Sequence, residues 1–407
     1  MKQASGVRTQ EPVAIALIES SIGLSGSTMS LSALLRRLDR DRFEPHVIVA
    51  REEQEVYLRD VVGSGPQVAR ISPGWGIRVR AARLGKVGVL LGLIAATIPY
   101  ANALRRFVTR HGVRLIHQNN GFDLGAFLAS RWTGVPLVVY QRGPEWDSPL
   151  VRRLAPLVAR YVANSHATRA NLLGLGVPPA RVSVGYPPID LEMFDVDRAP
   201  APGLTRGALG IPPHVPCVGI IGQLQEWKGH KVFIRAFQQV LLARPEVWAC
   251  VVGGPPAGGE RYERELRDLA RDLGVADQMV FTGFVADVPS ALQLLDVVVH
   301  ASVEPEPFGR VIAEAMAMRR PVIASDEGGP REIIEHERTG LLFPRGDDRA
   351  LAEGIVSLLR DPARAERLAE AGFGEIKRRF SAIQHARLIE SVYTDVLNLE
   401  MSEGRMP

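Results

Sequence analysis

Only two cysteines occur in the 407 residues, Cys217 and Cys250, and both sit in apolar runs, VPCVGIIG and WACVVGG. Two buried small residues exclude a disulfide framework and a cysteine-based zinc site, and they fit a reducing compartment. No G-x-G-x-x-G follows the first strand-like run. GLSGST stands there instead, and PHVIVARE supplies a poor match for the ribose-binding acid of a dinucleotide fold, which argues against a nicotinamide oxidoreductase. No apolar run comfortably reaches the roughly 20 residues of a membrane-spanning helix. The start, MKQASGVRTQEP, is polar and lacks the apolar core of a signal peptide, so no secretion is expected. Charge of one sign is also missing. The formal net charge of +4 is spread along the chain, too diffuse for nucleic acid but suited to acidic ligands or an anionic membrane face. Lysine is scarce, since nearly all the basic residues are arginine.

What is present is a globular composition, 46% hydrophobic and 23% charged, on a chain too long for one core. Apolar strand-like runs alternate with helical stretches: VAIALIESS, PHVIVA, LIHQNN, PLVVYQ, VANS and VSVGYPP in the first half. The Pro- and Gly-rich segment 197–216 reads as a linker, and the alternation restarts with CVGIIG, WACVVGG, MVFTG, VVVHAS, PVIAS and LLF. Continuous apolar strands between helices mean parallel sheets covered on both faces. The expectation is an α/β protein of two doubly wound, Rossmann-like domains, 1–200 and 201–380. The segment 381–407 adds a helix and tail able to pack on either domain, and ligand belongs at the carboxyl ends of the strands, between the domains. Residues 76–110 hold an apolar core with Arg78, Arg80, Arg83 and Lys86 before it and Arg105 and Arg106 after it. Pro99 and Asn102 interrupt it, so it reads either as a buried helix of the first domain or as an interfacial helix with a basic rim.

The richest stretch is EPEPFGRVIAEAM, 304–316. Pro305 and Pro307 keep the residues before them out of the helix, so a helix begins near Phe308 or Gly309 with open amides that attract phosphate. Glu306 precedes that end, and Glu314 lies about 9 Å along the axis from Phe308 at 1.5 Å per residue. That length matches a nucleotide diphosphate sugar, with a carboxylate for the hydroxyls at each end. Glu304 is spaced wrongly and reads as a solvated neighbour. The reading requires both acids to face the ligand rather than be tied to core arginines. In CVGIIGQLQEWKGH, Gly222 marks a close backbone approach, and Lys228 before Gly229 is a natural counter-charge for a diphosphate. Gly328 and Gly329 form another strand-to-helix turn, and GGPPAGG (253–259) reads as a flexible loop. His117 and His300 lie near strand ends, where either could contact ligand, but both read first as packed or backbone-bonded histidines.

These residues, with FTGFVADVPSALQLLDVVV and PVIASDEGGPREII, closely resemble the nucleotide-sugar domain of the family 4 glycosyltransferases, retaining enzymes of the GT-B fold, whose two Rossmann-like domains face a central cleft. The match is strong over 215–360, where E-x7-E with its EPFG core is specific, and weaker but colinear before it. The resemblance implies that Glu306 binds donor sugar hydroxyls and that Pro307, Phe308 and Gly309 lie against sugar and phosphate. It further implies that Glu314 binds the ribose and Lys228 the diphosphate, with Gly222 and Gln223 beside them. Gly23 and Gly26 of GLSGS, with Asn164 and Ser165 of VANS, would line the acceptor or diphosphate side. No metal or other cofactor is implied, and no DxD-type carboxylate cluster lies in a suitable loop. Three positions depart from the family pattern. Gln223 replaces a second phosphate-binding arginine. Arg142 stands where a histidine follows the PLVVYQ strand, able to hold phosphate but not to act as a base. Arg319 replaces the glycine before PVIAS and reads as a surface change. The expected activity is transfer of a sugar from a UDP- or GDP-type donor to a glycan or lipid-linked acceptor in envelope or extracellular polysaccharide synthesis, in the cytoplasm and peripherally on the membrane's inner face. Alternatives are a nucleotide-sugar epimerase on the same fold or a non-catalytic sugar-nucleotide-binding subunit.

Overall fold

A computed structural model describes residues 11–21, 25–62, 67–73, 85–144, 147–197, 200–201, 204–256 and 258–402. The chain divides into two compact units, 1–188 with 382–407, and 189–381.

The first unit is built on seven strands: β1 (Val13–Glu19), β2 (Phe43–Val49), β3 (Val68–Arg70), β4 (Leu115–Gln118), β5 (Leu137–Gln141), β6 (Arg160–Ala163) and β7 (Val182–Val184). They pair in parallel in the order β3-β2-β1-β4-β5-β6-β7. Successive side chains on a strand point to opposite faces, so each strand feeds two cores. Ile15 and Leu17 join Leu31, Leu34, Ile389 and Tyr393 on one face. Ala16 and Ile18 join Tyr100, Leu104, Ala126 and Tyr161 on the other. β3 has no counterpart among the strand-like runs read from the sequence. Its three residues, Val-Ala-Arg, carry too little apolar signal alone and are defined by their ladder to β2.

The second unit holds β8 (Cys217–Ile221), β9 (Trp248–Val252), β10 (Met279–Gly283), β11 (Val297–His300), β12 (Val322–Ser325) and β13 (Leu341–Phe343). Their order is β10-β9-β8-β11-β12-β13. In both sheets the winding reverses once, between β1 and β4 and between β8 and β11. In doubly wound sheets that reversal point is where ligands bind.

One boundary differs from the sequence expectation. The unit boundary falls at Pro188–Ile189, and the described part of 197–216 is packed rather than free. Ala201 donates its amide to Ser290 Oγ at 2.8 Å, and Arg206 binds Leu294 O, Val215 O and Asp296 Oδ2. Proline and glycine there shape a strap that an arginine pins down, which composition does not reveal. The 76–110 segment supplies the helix Gly85–Arg110, with Pro99 inside it. Its residues Ala96, Tyr100, Ala101, Leu104 and Val108 are buried, while Ile94 and Ile98 are 51% and 45% exposed. Arg78, Arg80 and Arg83 lie outside the described residues. Among the described residues no helix is long and apolar enough to cross a membrane.

The helix Ala382–Ser402 belongs to the first unit, and Tyr393 anchors it: its ring is fully buried and its hydroxyl lies 2.5 Å from His117 Nδ1. Burial, then the charges of Arg142 and His385, lower the His117 imidazole to about 3, so it packs as a neutral ring. Its Nε2 already lacks a partner. Tyr393→Phe leaves the second ring nitrogen unsatisfied as well, and should cost about 1–3 kcal/mol in chemical denaturation of the first unit; an unchanged midpoint would remove this anchor from the account.

Candidate functional site

The second unit's reversal point gathers the residues of interest. β8 ends into Gly222, exposed Gln223 and a 3-10 turn, Glu226–Lys228. Gly229 closes the turn with φ +74°, and a Cβ there would stand 1.8 Å from Ala301 O at the exit of β11. Only glycine permits that contact. The approach fixes Lys228, whose Nζ lies 3.8 Å above the Trp227 ring and 2.7 Å from Glu306 Oε2.

Glu306 follows β11 on the loop leading to the helix Arg310–Ala317. Three groups converge on its Oε2: Lys228 Nζ, His300 Nε2 at 3.1 Å and Ser302 Oγ at 3.3 Å. Oε1 accepts no hydrogen bond from any described residue. Burial alone would raise this carboxyl, which is only 8% exposed. The bond from His300 and the charge of Lys228 outweigh burial and hold it at about 2. Glu306 is therefore an anion with one oxygen fixed and one unused.

The loop is seated from below by the next strand-to-helix turn. Glu306 bridges to Gly328, and Gly329 N donates to Glu306 O at 2.8 Å. A Cβ on Gly329 would lie 2.3 Å from Phe308 Cα and O, so these glycines serve the close approach of two backbones. Phe308 turns into the core, 5.9 Å from the Phe380 ring, and Gly309 starts the helix with no side chain capping it. Pro307 is half-buried and Glu304 exposed.

Glu314 lies on that helix, 8% exposed, with Oε1 2.5 Å from Arg310 Nε one turn earlier. The expectation of an acid free of arginine therefore fails at Glu314, though Arg310 is part-exposed and Glu314 Oε2 accepts no bond from the described residues. Burial raises its carboxyl, and Arg310 offsets this only in part. The carboxyls of the two acids are thus shifted in opposite directions.

In the first unit, Arg142 lies over the Tyr140 ring at 4.0 Å and donates to Asn119 O and Asn119 Oδ1. Asn164 and Ser165 spend their polar atoms inside the fold. Asn164 Nδ2 binds Arg142 O, and Ser165 caps the helix His166–Gly174 through Thr168 N. Gly26 is exposed at the first turn of the helix Gly26–Arg37, and Gly23 lies outside the described residues. Glu19, at the end of β1, has no place among the candidates read from the sequence, yet it is fully buried and receives Asn119 Nδ2, Ser21 N and Ser27 Oγ. An acid closing an otherwise apolar strand was its one local signal. His300 is packed, 4% exposed, and its Nε2 also holds Glu306. Arg319 is no plain surface change either: its φ is +51°, it pairs with Glu370 at 2.5 Å, and it lies over Phe373 at 4.3 Å. Positive φ explains the usual glycine.

Residues 204–374 match the glycosyl transferases group 1 family, and residues 24–193 match glycosyltransferase family 4. The D-inositol 3-phosphate glycosyltransferase of Kineococcus radiotolerans is 31% identical over 351 residues, 77% of this chain and 79% of that protein. The lipopolysaccharide core biosynthesis mannosyltransferase LpsB of Rhizobium meliloti is 29% identical over 262 residues, 63% and 70% of the two chains. Among solved structures, Anabaena HepE in complex with UDP and glucose is 25% identical with a TM-score of 0.76, covering 94% of this chain and 100% of that one. Sucrose-phosphate synthase from Thermosynechococcus elongatus, 21% identical over 95% of this chain and 100% of its own, shares the fold at a TM-score of 0.72.

The depressed Glu306 carboxyl makes a signed prediction. Its charged form stabilises the fold fully above the ordinary value of 4.5, and that contribution fades as pH falls toward 2. Glu306→Gln should destabilise the second unit by on the order of 3 kcal/mol near neutral pH, and the gap to wild type should close as the medium is acidified. A gap independent of pH in denaturation experiments would show that Glu306 is not held as an anion.

Proposed function

The chain belongs to family 4 of the glycosyltransferases and is an enzyme of glycosyl transfer on the two-domain α/β GT-B fold; from that premise we propose that it transfers a sugar, with retention, from a nucleotide diphosphate sugar held by the unit 189–381. The observation that carries this reading is Glu306, an obligate acceptor whose unused oxygen stands at the start of an uncapped helix. Sugar hydroxyls donate to such an oxygen, and the helix start suits the diphosphate.

Lys228 has three N–H bonds to give. One rests on Glu306, so its charge is positioned between a sugar-binding acid and the place for the phosphates. As the glycosidic bond to the diphosphate breaks, negative charge grows on the leaving phosphate, where Lys228 and the amides at Gly309 stabilise it. No carboxylate is placed as a covalent nucleophile in this reading, so transfer occurs on the front face, with the leaving phosphate taking the acceptor's proton. Glu314, through its unbonded oxygen, is assigned the ribose. Gly222, with only Lys228 Cδ at 3.9 Å from where a Cβ would stand, leaves room for the donor. Arg142 offers the first unit's cation to a donor or acceptor phosphate. Asn164 holds its backbone, and Glu19 with Asn119 orients its side chain.

The relatives favour particular partners. HepE has been solved with UDP and with UDP-glucose, which supports a uridine donor. Relatives named for inositol 3-phosphate and for lipopolysaccharide core support a polyol-phosphate, glycan or lipid-linked acceptor in envelope or extracellular polysaccharide synthesis. Ile94 and Ile98, exposed on the helix Gly85–Arg110, support peripheral contact with a membrane from the cytoplasm.

UDP-sugars should raise the melting temperature of the purified protein more than GDP-sugars, and slow donor hydrolysis should accompany binding. Glu306→Ala and Lys228→Ala should each lower transfer by about 100-fold or more, with circular dichroism preserved. Turnover near wild type in either folded variant would overturn the assigned roles.

A further inference from the structure

A second polar cavity lies in the first unit, at the end of the sheet opposite its reversal-point residues. It measures 750 Å³ and opens beside the amino ends of β5, β6 and β7. Three arginines line it, Arg131, Arg160 and Arg181, and no acidic residue does. Elsewhere in the chain arginines commonly meet a carboxylate within about 3 Å, as Arg152 does with Asp147 and Arg206 with Asp296. Here Arg131 and Arg181 have no carboxylate partner among the described residues. Arg160 comes no closer to one than 3.9 Å, from Asp395. Arg160 and Arg181 are nevertheless held in place: Arg160 donates to Ala180 O, and Arg181 to Pro156 O and Val158 O. The Arg160 Nε–H is buried without an acceptor. With one distant, exposed carboxylate against three arginines, the cavity carries a net positive charge that favours an anion. The rest of the lining includes Phe127, Leu157 and Val396, and Leu157 is 56% exposed at its mouth.

We propose that this cavity is a binding site for a phosphate-bearing amphiphile, its phosphate held by Arg131, Arg160 and Arg181 and its apolar body laid on exposed Leu157, with the buried Phe127 and Val396 in the wall behind. Guanidinium groups match phosphate oxygens in geometry and charge, and exposed Leu157 favours an occupant with an apolar part. The volume accommodates a headgroup and the first part of a chain. The site stands independently of the donor reading, since it uses other strands and the other end of a different sheet. The same chemistry is offered by a lipid headgroup in a bilayer and by a free phosphorylated apolar metabolite.

The test uses full-length protein with soluble dihexanoyl phosphatidate as the probe, titrated calorimetrically. Dihexanoyl phosphatidylcholine, inorganic phosphate and vesicles of phosphatidylcholine with or without phosphatidate serve as comparisons. Arg131→Glu removes a side chain with no described bond, so its fold should survive, and Arg160→Gln provides a second variant that keeps a hydrogen-bond donor. Saturable phosphatidate binding, weakened about tenfold or more by each substitution, is the expected result, with donor hydrolysis unchanged. Phosphatidate-dependent vesicle binding lost in Arg131→Glu assigns the lipid source, whereas soluble binding without vesicle binding assigns the free metabolite. Affinity equal in wild type and both variants, tighter binding of inorganic phosphate than of phosphatidate, or no saturable phosphatidate binding would each overturn the proposal.

Discussion

The second unit is organised around one buried negative charge. Removing a carboxylate from water is costly, and left alone Glu306 would take up a proton. It does not, because a lysine, a histidine and a hydroxyl meet on a single oxygen. Each comes with its own structural requirement. Lys228 depends on a turn that only a left-handed glycine can close against Ala301, His300 on the last residue of β11, and the loop itself on two glycines beneath it. Much of the glycine punctuation around the site therefore serves to hold that charge in position, and its chemistry follows from the geometry.

The architecture was legible because buried parallel strands are written as continuous apolar runs, and the alternation of those runs with helices needs no long-range information. The helix start at Gly309 was legible for a local reason as well, since two prolines forbid helix before it. What could not be read are contacts between residues far apart in sequence. Nothing near Glu306 announces Lys228 as its partner 78 positions earlier, and nothing in VAIALIESS announces that Glu19 will grip Asn119, 100 positions on. The linker misled for a related reason. Proline and glycine report backbone shape, whereas packing of the strap is decided by Arg206 and its three acceptors. The glycine-to-arginine departure at 319 looked superficial because a sequence carries no φ angle.

The two acids of E-x7-E illustrate how environment separates identical side chains. Burial raises both carboxyls, but His300 and Lys228 pull Glu306 down, while Glu314, with one arginine and the same exposure, stays raised. A spacing argument treats them as a symmetrical pair. The physical difference lies in the partners, since Glu306 accepts from three groups and Glu314 from Arg310 alone.

Cys217 and Cys250, on adjacent strands with their sulfurs 3.6 Å apart, are both fully buried. Contact with the Cys250 thiol and burial push the Cys217 thiol far above its ordinary pKa, so it offers no reactive thiolate while the sheet is closed, and Cys250 is shielded by the same burial. The unit 1–188 with 382–407 contains no cysteine at all. Alkylation kinetics in the untouched wild-type protein would accordingly time the opening of one half of the molecule alone, a built-in chemical clock that requires no engineered label.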